Sequence, residues 1–165
     1  MWRRLKKVGL VFVVVLIGGF AAAQLVRPAR TNPPTDHART IQATAGSSSE
    51  LIAVLDRACN DCHSNGTVWA RYSQVAPVSW LISRGVAEGR KALNFSEWGT
   101  YSAEDQQTLL ATSCDDATKG TMPMRPYLML RPEARLSASD VATICSAARQ
   151  AEAQAASNTP ARGVR

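Results

Sequence analysis

The sequence predicts an all-α protein, a small helical bundle preceded by a transmembrane helix. An uncharged apolar run occupies residues 8–26, directly behind a basic N-terminus. In residues 50–155 apolar side chains recur three and four positions apart, which is the spacing of one helix face. No convincing stretch alternates between apolar and polar residues as a half-buried strand does. Helices alone therefore account for the pattern.

The first segment, residues 1–26, is expected to be a membrane anchor. As a helix, residues 8–26 would reach about 28 Å, close to the hydrocarbon thickness of a bilayer. The basic residues ahead of the run stay in the cytoplasm by the positive-inside tendency, which sends the rest of the chain across. A cleaved signal peptide is the alternative, because Ala21, Ala22 and Ala23 are small residues of the kind that precede a cleavage site.

The rest of the chain divides by composition. Residues 27–49 are rich in Pro, Thr, Ala and Ser without apolar periodicity, so they are expected to form a flexible linker. Residues 50–155 form the expected folded domain, and residues 156–165 a disordered tail. The net charge of +6 comes largely from the basic residues ahead of the apolar run, and the nearly balanced remainder argues against a nucleic-acid-binding surface.

Four helices are expected in the domain, each with a start signal. A serine three residues ahead of an acidic residue is a capping pattern. It occurs at Ser47 with Glu50, Ser102 with Asp105, and Ser137 with Asp140. Pro77 fits the first turn of the remaining helix, although Gly85 and Gly89 disfavour the far half of that helix. Gly120 stops the third helix, and a loop is expected from Thr121 to Pro132.

The segment Cys59-Asn60-Asp61-Cys62-His63 lies at the end of the first domain helix. Covalent haem attachment, a zinc site and a redox-active dithiol all use a close cysteine pair. A thioredoxin-like dithiol is disfavoured because the strands of a βαβ unit are missing. A zinc site would need Cys114 and Cys145 as further ligands, but these stand about 30 residues apart on separate helix faces and do not form a second close pair.

Haem attachment accounts for the whole motif. Cys59 and Cys62 have the spacing that allows thioethers to both vinyl groups, and His63 then presents an imidazole nitrogen to the iron. The sequence therefore predicts one covalent haem c with His63 as an iron ligand. Because c-type haem is attached on the far side of the bacterial inner membrane, this prediction agrees with export of the domain.

The sixth iron ligand is expected to be a methionine. Met122 is favoured because it follows a helix-ending glycine and precedes Pro123, which makes its backbone extended and stiff. Met124 is the reserve. Met129 lies between two leucines and is expected to fill a gap in the core, while His37 lies in the predicted linker and is expected to be solvated.

Cys114 and Cys145 each fall on the expected buried face of a helix. Two ordinary buried thiols are one interpretation. In an oxidising compartment, paired cysteines on adjacent helices favour a disulfide, and this one would clamp the helices on either side of the methionine loop. We expect the disulfide.

Three stretches of the sequence carry a resemblance to a known family: "CNDCHSN", "WARYSQVAPVSWLISRGVAEGRKALNFSEW" and "MPMRPYLMLRPEARLS". They resemble the bacterial haem-binding domain family of membrane-anchored, c-type-cytochrome-like proteins, and the resemblance covers residues 30–148. It implies a cytochrome c-like bundle around one covalent haem. Cys59 and Cys62 would carry the haem, His63 would be the proximal ligand and Met122 the distal one.

The sequence departs from the family pattern at two positions. Met124 stands where a second proline is common, which keeps it open as an alternative to Met122. Arg131 stands where a histidine often precedes "PEARLS", which removes a possible histidine ligand.

These features together predict a mono-haem c-type cytochrome domain that carries single electrons between other redox proteins. We expect a single-pass protein of the bacterial inner membrane, with its haem domain in the periplasm, and no enzymatic activity. Iron between His63 and a methionine is six-coordinate, and thioether ligation raises the potential, both of which suit electron transfer. The alternative is a haem-based sensor or small-ligand binder with a labile sixth ligand.

Overall fold

The computed structural model describes residues 2–44 and 47–158, and in these residues it contains α-helices and short 3₁₀ turns but no strand. The α-helices are α1 Trp2–Ala23, α2 Ser49–Ala58, α3 Asn60–His63, α4 Val78–Ala92, α5 Ala103–Lys119, α6 Arg125–Leu130 and α7 Ala138–Asn158. The 3₁₀ turns are His37–Arg39, Ile41–Ala43, Arg71–Gln74, Phe95–Thr100 and Pro132–Ala134. The all-α prediction is confirmed.

The chain forms two compact units. The first contains Met1–Thr31 and Val68–Glu88, and the second contains Asn32–Thr67 and Gly89–Arg165. Helix α7 continues to Asn158, so it covers the first positions of the predicted tail, and residues 159–165 lie outside the described part of the chain.

Helix α1 is the apolar element of the first unit. Its 22 residues have a mean hydropathy of 2.1 over the most apolar window, and none of that window is buried. It is the one helix in the described residues that is long and apolar enough to cross a membrane, and a signal sequence would share these properties. Helix α4 runs through both of its glycines to Ala92, beyond the point where the sequence disfavoured it.

The second unit is built around a core to which α2, α5 and α7 all contribute. Its buried apolar side chains include Leu51, Val54, Leu55, Phe95, Trp98, Leu110 and Ile144. The core also contains Ile41, only 1% exposed, from the segment that the sequence assigned to a flexible linker. That part of the linker is therefore packed on the domain, with 3₁₀ turns on both sides of Thr40.

The helix caps explain where two of the domain helices begin and correct a third. The amide of Asp105 donates to Ser102 Oγ (3.1 Å) and that of Asp140 to Ser137 Oγ (3.2 Å), as the sequence predicts. Helix α2 is instead capped by Ser48, whose Oγ accepts from the Leu51 amide at 3.1 Å. The prediction of Ser47 with Glu50 as the capping pair was wrong by one residue.

The predicted loop from Thr121 to Pro132 contains a further helix, α6. Its first turn includes Pro126, which is tolerated there because the first amides of a helix have no intrahelical partner. Six residues are too few to reveal helical periodicity, so α6 could not be predicted from the sequence.

Candidate functional site

The Cys-x-x-Cys-His motif is a single helical turn placed directly after α2. Cys59 ends α2 by donating its amide to the Leu55 carbonyl (2.9 Å), and it also caps α3. Its own carbonyl accepts from the amides of Cys62 (3.1 Å) and His63 (3.0 Å). Both cysteines are free thiols. The two cysteines and His63 thus lie on one short turn.

One nitrogen of His63 is committed to the protein. Nδ1 lies 3.1 Å from the Leu93 carbonyl, and because a carbonyl can only accept, Nδ1 carries the proton. Nε2 is then unprotonated and can bind a metal, which is the arrangement by which a backbone carbonyl orients a metal-binding histidine. Burial lowers the pKa of His63, against opposing contributions from Leu93, Gly89 and Asp116, so the imidazole is neutral and its lone pair available.

A buried polar network fixes the carbonyl that orients His63. Asn94, the residue after Leu93, donates from Nδ2 to Asn65 Oδ1 (2.8 Å), and its own Oδ1 accepts from the Ser96 amide (3.0 Å). The backbone amide of Asn65 donates to Ser96 Oγ (2.9 Å). Asn65, Asn94 and Ser96 are all buried. Hydrogen bonds therefore join the "CHSN" segment to the "NFSEW" segment. The "NFSEW" segment thus helps to hold the Leu93 carbonyl in place, a role that could not be predicted from its sequence.

Helix α4 approaches the motif so closely that only glycine fits at position 89. A Cβ built on Gly89 would lie 2.6 Å from the Cys62 carbonyl oxygen and 3.2 Å from Cys62 Cβ. The next residue, Arg90, donates from Nε to the Ser64 carbonyl (2.8 Å) and from its terminal nitrogen to Thr67 Oγ1 (2.8 Å). The end of α4 thus contacts Cys62 and holds the chain directly after His63.

The two cysteine thiols are protonated in this environment. Burial raises the pKa of Cys59 to about 12, with a smaller contribution from Cys62. It raises the pKa of Cys62 to about 11, where the neighbouring Asp61 adds to the effect. Because the thiolate is the nucleophile in disulfide exchange, neither residue resembles the activated cysteine of a dithiol oxidoreductase.

Helix α6 is held to the motif by Asp61. The hydroxyl of Tyr127 donates to Asp61 Oδ2 at 2.9 Å, and the Arg131 guanidinium lies 3.6 Å from the same oxygen. Burial raises the pKa of Tyr127, and its bond to Asp61 adds to that effect. The arginine that departs from the family pattern therefore pairs with the motif itself, and this contact could not be predicted from the sequence.

The predicted sixth-ligand segment lies between α5 and α6. Gly120 ends α5 with φ 66°, in the left-handed region that glycine adopts without strain. The Met122 amide donates to the Asp116 carbonyl (3.4 Å), and Thr121 Oγ1 donates to Asp116 Oδ1 (2.6 Å). Met122 and Met124 are almost equally exposed, at 39% and 40%, so exposure does not rank them.

Met129 differs from its sequence-based prediction. It is 83% exposed and does not fill a gap in the core. His37 is exposed at the start of a 3₁₀ turn, as expected for a solvated histidine.

Cys114 and Cys145 form a disulfide that joins α5 to α7, with their Cα atoms 4.8 Å apart. This is the pairing that we expected from the sequence. It also removes the zinc alternative, because two of the four sulfurs that such a site required are bonded to each other.

The aromatic side chains next to the site belong to the core. The rings of Phe95 and His63 meet edge to face with their centroids 6.3 Å apart, and Trp98 lies 6.2 Å beyond Phe95. Phe95 and Trp98 are almost completely buried. They therefore form an apolar wall behind the imidazole.

The arrangement fits a haem better than an isolated metal ion. It provides a neutral imidazole whose Nδ1 is bonded to the Leu93 carbonyl, two uncharged thiols on the same turn, and an apolar wall behind the imidazole. No curated protein and no solved structure matches the chain. The family model described as a haem-binding domain matches residues 18–150, most of the chain, and the protein therefore belongs to the haem-binding domain family.

Proposed function

We propose that this protein is a mono-haem c-type cytochrome that carries single electrons between redox proteins. It would be tethered by α1 to the bacterial inner membrane, with its haem domain in the periplasm. The observation that carries the proposal is the bond between His63 Nδ1 and the Leu93 carbonyl, which leaves Nε2 for iron on the turn that bears both free thiols. A bound haem would supply iron that alternates between ferrous and ferric states without atom transfer.

Covalent attachment through Cys59 and Cys62 is supported by their placement on one turn. Expression with a c-type haem maturation system should give a red protein whose haem survives acid-acetone extraction and adds its mass to the chain. Cys59→Ser and Cys62→Ser should each leave at most one thioether. Complete loss of haem from the wild-type protein on extraction would contradict covalent attachment while leaving haem binding intact.

The sixth ligand is proposed to be Met122, with Met124 as the reserve. The support is the position of Met122 directly after the end of α5 and before Pro123, with its amide bonded to the Asp116 carbonyl. Met122→Ala should abolish the weak red charge-transfer band of methionine-ligated ferric haem and open the iron to carbon monoxide. Met124→Ala is the matched control and should keep the band. A band that survives in Met122→Ala and disappears in Met124→Ala would reverse the assignment.

A sensor with a labile sixth ligand is the second candidate, and one observation favours it. Both candidate methionines are about two-fifths exposed, so neither thioether is enclosed by the fold. A wild-type protein that lacks the red band and binds carbon monoxide readily would support the sensor and contradict the carrier.

We propose no catalytic role, because His37, the other histidine, lies exposed on a 3₁₀ turn and has no place as an acid and base at the iron.

A further inference from the structure

The first compact unit contains apolar side chains that its own fold leaves exposed. Leu81 is 61% exposed, Val75 44% and Trp80 38%, and all three belong to the stretch from residue 68 to residue 81. We call residues 68–81 the interface segment. These side chains are distant in sequence from the membrane helix α1, yet they fold into the same unit.

Hydrogen bonds tie the interface segment to the residues that follow α1. The side-chain amide of Gln24, one residue beyond the end of α1, pairs at two points with the backbone of Ala76: its Nε2 donates to the Ala76 carbonyl (3.3 Å), and its Oε1 accepts from the Ala76 amide (2.9 Å). Trp80 Nε1 donates to the Val26 carbonyl at 2.8 Å. The segment is therefore held to the anchor immediately beyond its apolar span.

The length of α1 places these contacts at the membrane surface. A helix of 22 residues is about 33 Å long, and its apolar part, which begins at Val8 after the basic residues, reaches Gln24 after about 24 Å. If α1 spans the membrane, Gln24 and Val26 lie at the far edge of a hydrocarbon core about 30 Å thick, next to the headgroup layer, and any segment bonded to them lies at that boundary as well. The argument rests on the proposed membrane anchor and does not depend on the haem.

The chemistry of the segment suits that layer. Tryptophan is enriched at membrane interfaces because its ring is apolar and its N–H needs a polar partner, which Trp80 has in the Val26 carbonyl. Arg27 and Arg71 are exposed in the same unit, and guanidinium groups pair well with phosphates. A cationic and aromatic surface continuous with a transmembrane helix fits phospholipid headgroups.

We propose that the interface segment is a second membrane contact, which inserts Val75, Trp80 and Leu81 at the boundary between headgroups and acyl chains beside α1. The contact would fix the first unit against the bilayer, so that α1 is more than a flexible tether.

The test uses the full haem-loaded chain in phosphatidylethanolamine and phosphatidylglycerol vesicles. A nitroxide is attached to a cysteine introduced at one exposed position, Leu81→Cys or Val75→Cys, since the native cysteines are occupied by haem and disulfide. The accessibility of the nitroxide to oxygen, which partitions into lipid, is compared with that to a water-soluble nickel chelate. Glu152→Cys, on the exposed surface of α7, is the aqueous control, and Leu16→Cys in α1 is the membrane control.

We expect labels at positions 81 and 75 to favour oxygen over the chelate by severalfold relative to position 152, and to lie shallower than position 16. If the label at position 16 lies deep in the bilayer but the label at position 81 is as accessible to the chelate as the label at position 152, the proposal is wrong although α1 spans the membrane. A label at 16 that is not in lipid would overturn the anchor and this proposal together. A label at position 81 that is protected from both oxygen and the chelate, and that shows spin–spin broadening at high protein density, would mean that the surface binds a second copy of the chain. This result would also overturn the proposal.

Discussion

Breaking the Cys114–Cys145 disulfide is expected to lower the free energy of unfolding by about 3.7 kcal/mol. The two residues are separated by 31 positions. For a loop of that length the chain-entropy relation gives roughly 12 cal/mol/K, which is about 3.7 kcal/mol at 25 °C. Since the bond joins α5 to α7, on either side of the segment that contains Met122, its loss should also weaken the methionine charge-transfer band.

The measurement is urea unfolding of the full chain in detergent, followed by far-ultraviolet circular dichroism. Oxidised wild-type protein is compared with protein treated with a phosphine reductant and with the Cys114→Ser, Cys145→Ser double variant. Thioethers are not cleaved by the reductant, so its effect on wild type reports the disulfide alone. The double variant should not respond to it.

Two outcomes would refute the reasoning. A difference below about 1 kcal/mol between oxidised and reduced protein, with unchanged urea dependence, would show that closure of the loop does not govern stability. Labelling of both cysteines in unfolded protein that was never reduced would show that the bond is absent.

Three further substitutions test other parts of the site and its frame. Gly89→Ala should destabilise the protein by about 1–3 kcal/mol, although alanine normally favours a helix, because its Cβ would meet the Cys62 carbonyl; a gain in thermal stability would contradict that contact. Tyr127→Phe should cost about 1.5–3 kcal/mol in urea unfolding and weaken the red band, since it removes a bond to the Asp61 carboxylate; unchanged values would mean that α6 is held by other contacts. Asp140→Asn should cost about 1 kcal/mol at neutral pH. The hydrogen bond from the Ser137 backbone amide lowers the pKa of Asp140. The stability that the Asp140 carboxylate contributes is therefore fully present above the ordinary pKa of an aspartate and is lost as the pH falls through the lowered pKa. A difference between wild type and Asp140→Asn that does not change with pH would contradict this.

The closeness of Cys59, Cys62 and His63 follows from their spacing alone, although the helical turn α3 on which they lie was not predicted. Two cysteines and a histidine within five positions lie together on any helical turn, whatever surrounds them. The acceptor of His63 could not be predicted in the same way. Leu93 is 30 positions away and contributes a backbone carbonyl, which every residue has, so no side-chain pattern marks it.

Other features were missed because their residues look ordinary in sequence. Asn65, Asn94 and Ser96 have the composition of a loop, and only their burial shows that they form a network. Ile41 is a single apolar residue in a polar stretch, so it creates no periodicity, yet it is among the most buried side chains of the core. Ser64 and Asn65 directly after the ligand motif are a signal that could have pointed to the network.

The two sides of the proposed haem site, that of His63 and that of Met122, are supported by contacts of different kinds, and this bears on the choice between carrier and sensor. The His63 side rests on bonds among buried groups, Asn65 with Asn94 and Ser96, where an unpaired polar atom would be costly. The methionine side rests on the Asp116 carboxylate and carbonyl, whose bonds to Thr121 and Met122 are exposed to water. Local opening follows the elements with few buried contacts. The side that yields first is therefore the methionine side, while the imidazole stays in place. In a carrier the bound methionine must itself stabilise that side, whereas in a sensor the same weakness would admit a ligand. If Met122 binds the iron as proposed, the strength of that bond, and not the construction of the His63 side, decides between the two functions.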